Sequence, residues 1–455
     1  MALNENYPLS SPSSLKSQFL GKKLADLPTP SIILDRALVR RHCAEMQRVC
    51  GALGIGFRAH VKSHKTTEVS RYMVGDGLSW EGKEGGHEGP ANFIVSTVAE
   101  AEHLAPFVRG EQARGREASI LYGVPVPPSS LPRLLALAAS LQPKSILLML
   151  DSPATLTRLL AALATTPTPT LGLFVKVDTG YHRAGLAPES PSLAALIAAI
   201  LQSEQDGQSV ELVGLYSHLG SSYANSSPQD AASGLATEFA GLESALRVVP
   251  APRRKSLVLS VGATPTVAAA QNLASGSGAQ DAALRQALDR VKALCRVEVH
   301  AGVYPLLDCQ QVATGARGAR HADIAVRVLL EVSSVYGERE RPEVLVSGGS
   351  LALGREPCKS YSGWGIVEGS LGNEGAAVFG EGGAGWVVGR VSQEHGVLLW
   401  EGDVGQYKEL RVGDKVAVWP NHACIAGVGF GWYLVVDSEL GGDEVVDVWV
   451  RWRGW

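Results

Sequence analysis

From Leu27 to about Gly302 the chain alternates between two textures, and this alternation limits its possible folds more than any other feature. Short runs rich in Val, Ile and Leu are followed by Ala/Leu-rich stretches with apolar residues at helical spacing. The runs are "SIILD" (31–35), "FRAHV" (57–61), "FIVST" (93–97), "SILYG" (119–123), "SILLML" (145–150), "LFVKVD" (173–178), "LVGLYSHL" (212–219), "LVLSVG" (257–262) and "RVEVHAG" (296–302). Continuous apolar strands separated by amphipathic helices predict a parallel sheet with helical crossovers. About eight such units over roughly 250 residues fit an α/β fold of the (β/α)8 TIM barrel type. An open doubly wound sheet fits less well, because no GxGxxG follows the first strand.

After about residue 320 helical periodicity stops. Runs such as "IAVRVLLEVSSVYG", "GWVVGRVSQEHGVLLW" and "EVVDVWVRWRGW" alternate β-branched residues with Gly and Pro punctuation. They predict a second, C-terminal all-β domain. The expected organisation is an N-terminal extension at 1–26 associated with the β domain, a barrel at 27–318 and the β domain at 319–455. Gly-rich stretches at 80–92 and 275–284 read as surface insertions.

Composition narrows the partners. The 455 residues carry a net charge of −4 with no basic stripe, which argues against nucleic acid. No apolar run approaches the length of about 18 residues that could span a membrane, and the first 23 residues lack a secretory h-region. The six cysteines form no CxxC and no disulfide framework. Reduced thiols in a cytoplasmic setting are expected.

In a barrel of this type, side chains at the C-terminal strand ends point into the active-site mouth. Five runs end in polar motifs: "HVKSH", "VDTGYHRAG", "YSHLGSSY", "SVGATPT" and "HAGVYPLLD". Taken alone, Lys62 in "HVKSH" reads most simply as a surface lysine beyond a strand. Its neighbours His60, His64 and Lys65 also fit a lysine with a lowered pKa, able to form a Schiff base. "SVGATPT" reads as an ordinary turn or as a phosphate nest with exposed N–H groups and Thr hydroxyls. A phosphate nest together with an activated lysine points to pyridoxal 5′-phosphate (PLP) rather than a nucleotide.

"PNHAC" (420–424) places His422 and Cys424 at i and i+2, which share one face if the segment is a strand. Core packing explains such a pair. So does a shared metal, for which imidazole and thiolate suit zinc.

Together these motifs resemble the eukaryotic-type D-serine dehydratases. That group belongs to the alanine-racemase-like, fold type III PLP enzymes and is related to the D-threonine aldolases. The resemblance runs from "LPTPSIILD" to "PNHACIAGVGFGWYLVVD", with "HVKSHKT", "VDTGYHRAG", "YSHLGSSY", "SVGATPT", "EVHAGVYPLLD", "SQEHG" and "PNHAC" in family order. It implies that Lys62 bonds the cofactor aldehyde, that Arg183 lies near the phenolic oxygen and that Tyr216 faces the pyridine nitrogen. Tyr223 and Thr264 are implied as phosphate contacts, Gly302 and Tyr304 as pocket lining, and His422 and Cys424 as zinc ligands.

The implied reaction converts D-serine to pyruvate and ammonia in a homodimer. A D-threonine-aldolase-like enzyme acting on D-3-hydroxy amino acids is the alternative, although the aldolase pattern has a carboxylate where this chain has Cys424. A racemase has no use for the HxC pair. Non-catalytic PLP carriers of the single-barrel type lack a β domain.

Overall fold

The computed structural model describes all residues except 1–6, 78, 81, 82, 85–88, 167, 221–225, 276–278, 371–378 and 380–382. The insertions at 80–92 and 275–284 therefore fall partly outside the described residues. The chain divides into two compact units. One comprises residues 1–42, 63–69 and 303–453, the other residues 43–62, 70–302 and 454–455.

The second unit is a closed parallel barrel of eight strands. Around the ring they run Val258–Val261, Arg296–Ala301, Gly56–His60, Ala91–Val95, Ala118–Pro125, Ile146–Leu150, Leu171–Lys176 and Val210–Tyr216. The strands read as unbroken apolar runs because their residues are covered on both sides. Ile146–Leu150 and Leu171–Lys176 are buried at every position. Ile94, Leu121, Leu147, Met149, Phe174, Tyr216 and Val258 form one core cluster.

Three barrel helices start the same way. Ser152, Ser190 and Ser227 each cap the helix with the side-chain oxygen, and Pro153, Pro191 and Pro228 take the first helical position. Serine satisfies a free amide of the first turn, and proline has no amide there to satisfy. Inside the barrel, Arg58 forms a buried fork to Glu298 at 2.6 and 3.1 Å and donates to Ser119 Oγ at 3.0 Å.

The first unit is built on a nine-stranded sheet. Its order is Glu343–Val346, Gly396–Glu401, Gly385–Val391, Gly365–Ser370, Lys415–Pro420, Val326–Tyr336, Ser31–Asp35, Trp432–Val436 and Asp447–Val450. "SIILD" is thus not a barrel strand. Ser31–Leu34 pair antiparallel with Val326–Leu329, and Ile33–Asp35 pair parallel with Leu434–Val436. The barrel begins one run later, with the strand that precedes Lys62.

Residues 27–42 and 303–318, assigned to the barrel by the sequence pattern, group with the sheet unit. The ladders of Ser31–Asp35 hold the first segment. The second is bonded to the unit through the Gln310 amide to the Asn421 carbonyl and the Ala423 amide to Asp308. The helix Pro12–Phe19 places Leu15 and Phe19 in a cluster with Leu24, Leu27, Ile33, Leu329 and Leu434. Lys16 adds a 2.7 Å ion pair with Asp447.

Candidate active site

In the barrel unit the polar groups gather where the strands end. Gly56–His60 delivers Lys62, a half-buried residue whose amide N lies 3.4 Å from His60 Nδ1. Val210–Tyr216 ends in a buried tyrosine. The Tyr216 ring stacks on His300, with centroids 4.2 Å apart and planes 10° apart. Lys176 Nζ lies 5.3 Å from the centre of the Tyr216 ring. Burial raises the Tyr216 pKa, so the phenol is neutral at ordinary pH.

The histidines are neutral too. Burial, then the charges of Lys62, Arg183 and Lys176, lower the His218 pKa to about 3. Burial also holds His300 well below its ordinary value. His300 Nδ1 lies 3.0 Å from Ser260 Oγ, and its Nε2 is buried without a hydrogen-bond partner. Lys176 is itself buried, which brings its pKa down to about 8.

After Val258–Val261 the chain turns through Gly262 into the helix Thr264–Ser275. Gly262 has φ +136°, and a Cβ there would stand 2.6 Å from the His300 carbonyl oxygen. Only glycine tolerates both conditions without strain. His218 Nδ1 donates to the Gly262 carbonyl at 2.7 Å. Thr266 Oγ1 accepts from the Ala263 amide at 2.8 Å. Thr264 Oγ1 is buried with no partner. An unsatisfied buried hydroxyl at a helix N-terminus is suited to contact an anion.

The "VDTGYHRAG" segment is shaped by Asp178, which accepts from the amides of Gly180 and His182 at 3.0 Å each. Arg183 is exposed, with its guanidinium 5.2 Å from the Tyr181 ring. Gly302 is buried at the end of Arg296–Ala301. Tyr223 lies outside the described residues.

In the sheet unit, His422 and Cys424 are not on a strand. The strand Lys415–Pro420 ends before them, and His422 caps the short helix Ala423–Ala426. The turn still brings the two side chains together. Burial works against a charge on His422, but its hydrogen bond to Cys424 and the charges of Cys424, Asp308 and Glu356 raise its pKa to about 9.

The turn is fixed from below by Asp308. This buried carboxylate accepts from the Ala423 amide at 2.9 Å and from the Gln311 amide at 2.8 Å. Ser63 Oγ lies 3.0 Å from Cys424 Sγ. Among the described residues, no group of three or more His, Cys, Asp or Glu gathers as a metal site. Imidazole and sulfur in contact form a two-donor set of the kind zinc takes, with other coordination positions left open. Tyr304 is fully buried in this unit.

Sequence reading did not single out Lys176, His218 or Glu238. The first two sit inside quoted motifs, and Lys176 is the one charged residue in an otherwise apolar strand. Glu238 lies on the helix Pro228–Leu246 and carries no motif.

Comparison with known proteins places this geometry among relatives. The family "Alanine racemase, N-terminal domain" matches residues 37–298. The family "Putative serine dehydratase domain" matches residues 325–436. A D-serine dehydratase of Schizosaccharomyces pombe is 33% identical over 447 residues, 97% of this chain and 95% of the relative. One from Saccharomyces cerevisiae is 31% identical, covering 97% of this chain and 100% of the relative.

Among solved structures, D-threo-3-hydroxyaspartate dehydratase from Delftia sp. HT23 is 26% identical with a TM-score of 0.72. It covers 95% of this chain and 100% of its own. A cysteine-to-alanine mutant of that dehydratase has been solved in the metal-free form.

Proposed function

The chain belongs to the D-serine dehydratase family, with an alanine-racemase-type barrel, and from this we propose that it is a PLP- and zinc-dependent D-serine dehydratase yielding pyruvate and ammonia. The observation that carries the reading lies in the barrel. Lys62 follows one strand end, and a buried, unpartnered Thr264 hydroxyl stands at a helix N-terminus beyond another. These are the two contacts that a phosphorylated aldehyde requires.

Lys62 would bond the cofactor, and Tyr216 would face its ring nitrogen. Thr264, Tyr223 and the neighbouring amides would hold the phosphate, with Arg183 near the phenolic oxygen and Gly302 lining the pocket. Bound PLP supplies an electron sink for the pair left at Cα. Lys62, as the free amine, takes the Cα proton of the substrate as general base.

Tyr216 stays a neutral phenol and adds no charge beneath the ring. His218 and His300 are likewise neutral. Lys176, with its pKa brought down to about 8, is a buried amine beside Tyr216.

His422 and Cys424 would hold zinc, which supplies Lewis acidity toward a hydroxyl leaving group. Asp308 fixes their turn through the Ala423 amide. The Delftia dehydratase, a cysteine-to-alanine mutant of which was solved in the metal-free form, is compatible with a sulfur ligand. Cys424 also weighs against the D-threonine-aldolase-like alternative, whose pattern places a carboxylate there.

Exposed Leu351, Ile425 and Val428 lie on or beside short helices next to this turn and favour a homodimer. Six cysteines outside any disulfide, five of them buried, favour a cytoplasmic enzyme. No helix among the described residues is long and apolar enough to cross a membrane.

The deciding experiment incubates the purified protein with D-serine, L-serine and D-threonine, with and without chelator, and assays keto acid and aldehyde. Pyruvate from D-serine alone, suppressed by chelation, is the expected result. Aldehyde and glycine from D-threonine without keto acid would replace it with the aldolase reading.

A further inference from the structure

Glu238 is fully buried on the helix Pro228–Leu246. Its Oε1 accepts three hydrogen bonds: from Ser217 Oγ at 3.0 Å, the Leu219 amide at 3.0 Å and the Gly262 amide at 3.4 Å. Ser217 Oγ in turn lies 2.6 Å from Thr179 Oγ1. One carboxylate oxygen thus ties together segments that follow three successive barrel strands. These segments carry Tyr216 and His218, the Gly262 turn, and the start of "VDTGYHRAG".

An acceptor is needed at Oε1 because the three groups that face it are donors; Oε2 is buried without a hydrogen-bond partner. Burying an ionised carboxylate is costly unless it is matched, and burial does raise its pKa. The Ser217 bond and the charge of Lys176 oppose that shift. Bonds from neutral donors to a carboxylate are stronger than neutral pairs.

With the Gly262 amide turned toward Glu238 and the Ala263 amide toward Thr266, the turn has one settled conformation. In it the Thr264 hydroxyl is left unpartnered. We propose that Glu238 is a positioning residue that holds the phosphate-binding turn in register with the strand end bearing Tyr216. The inference rests on the PLP reading of the barrel.

The test uses the purified full chain, with variants Glu238→Ala, Glu238→Gln and Ser217→Ala, titrated with pyridoxal 5′-phosphate and with pyridoxal. Binding is followed by cofactor absorbance, and helix content and thermal midpoint are recorded alongside. Glu238→Ala is expected to weaken PLP binding at least tenfold while changing pyridoxal binding less than threefold. Glu238→Gln keeps an acceptor oxygen in place and is expected to stay within about threefold of wild type for both ligands. Ser217→Ala removes one brace and is expected to weaken PLP selectively by about threefold, which keeps the idea testable if Glu238→Ala fails to fold.

Equal weakening toward both ligands would mean a general structural role and would overturn the proposal. So would unchanged PLP binding in Glu238→Ala. If the wild-type chain binds neither ligand, the PLP reading falls, and this inference falls with it.

Discussion

Ser63 Oγ and Cys424 Sγ lie 3.0 Å apart. The contact is one of several that fasten the segment after Lys62. Arg451, a buried residue, donates to the Ser63 carbonyl at 3.3 Å and to the His64 carbonyl at 3.2 Å. The Trp452 amide donates to the Lys65 carbonyl at 2.8 Å. Lys65 itself sits at φ +51°, a conformation that needs such support.

Arg451→Met removes the guanidinium donors to the Ser63, His64 and Phe430 carbonyls. A loss of about 3 kcal/mol in unfolding free energy is expected. Urea denaturation measures it, and a change under 1 kcal/mol would show that the segment holds itself.

Lys62→Ala should abolish both the shifted absorbance that marks a Schiff base when PLP is added and the production of keto acid from D-serine. Loss of a bonding and proton-abstracting group removes several orders of magnitude in rate. Retained turnover would take Lys62 out of the chemistry.

His422→Ala and Cys424→Ala should each lower bound zinc, measured by atomic emission, from near one equivalent to a small fraction. PLP absorbance should persist in both. A chelator should do the same to the wild-type chain. Turnover indifferent to metal content would separate zinc from the reaction.

Stability should fall in mild acid. His42 Nδ1 lies 3.0 Å from the Pro305 carbonyl oxygen, and burial, aided by the charges of Arg317 and Arg41, lowers its pKa from 6.5 to about 4. Between these values the unfolded chain binds the proton and the folded chain does not. Its contribution is therefore complete above pH 6.5 and is lost as pH drops toward 4, by up to about 3 kcal/mol. Denaturant midpoints at pH 7.5, 5.5 and 4.5 measure the slope, and His42→Gln should flatten it. An unaltered slope in that variant would assign the acid sensitivity elsewhere.

Gly262→Ala should weaken PLP binding and lower stability by roughly 1–3 kcal/mol, because the new methyl meets the His300 carbonyl at a positive φ. Wild-type PLP affinity in this variant would show that the turn has room to adjust.

Eight of the nine apolar runs are barrel strands, and the ninth shows where sequence reading stops. Ile32, Ile33 and Leu34 are buried whether the strand lies in a barrel or in the middle of a mixed sheet. A short run covered on both faces looks the same in either place, and only its distant partners separate the two. His422 and Cys424 were legible as a pair. Their turn was not, since spacing of two residues suits both a strand and the start of a short helix.

Lys62 and Thr264 could be picked out because strand ends concentrate polar residues. Lys176 and Glu238 could not, because their importance comes from burial among groups far away in the chain. Glu238 faces donors 19 to 24 residues away on either side, in segments brought together only by closure of the barrel.

The interior position of Ser31–Asp35 in its sheet, between an early and a late partner, sets a timetable for biosynthesis. Its parallel neighbour, Leu434–Val436, leaves the ribosome about 400 residues later, roughly 20–80 s at ordinary elongation rates. Until then one edge of an apolar strand has no native ladder to join. A nascent chain stalled or truncated before residue 432 would present that edge to other chains, so messages that stop early should give aggregates rather than a shortened but folded product.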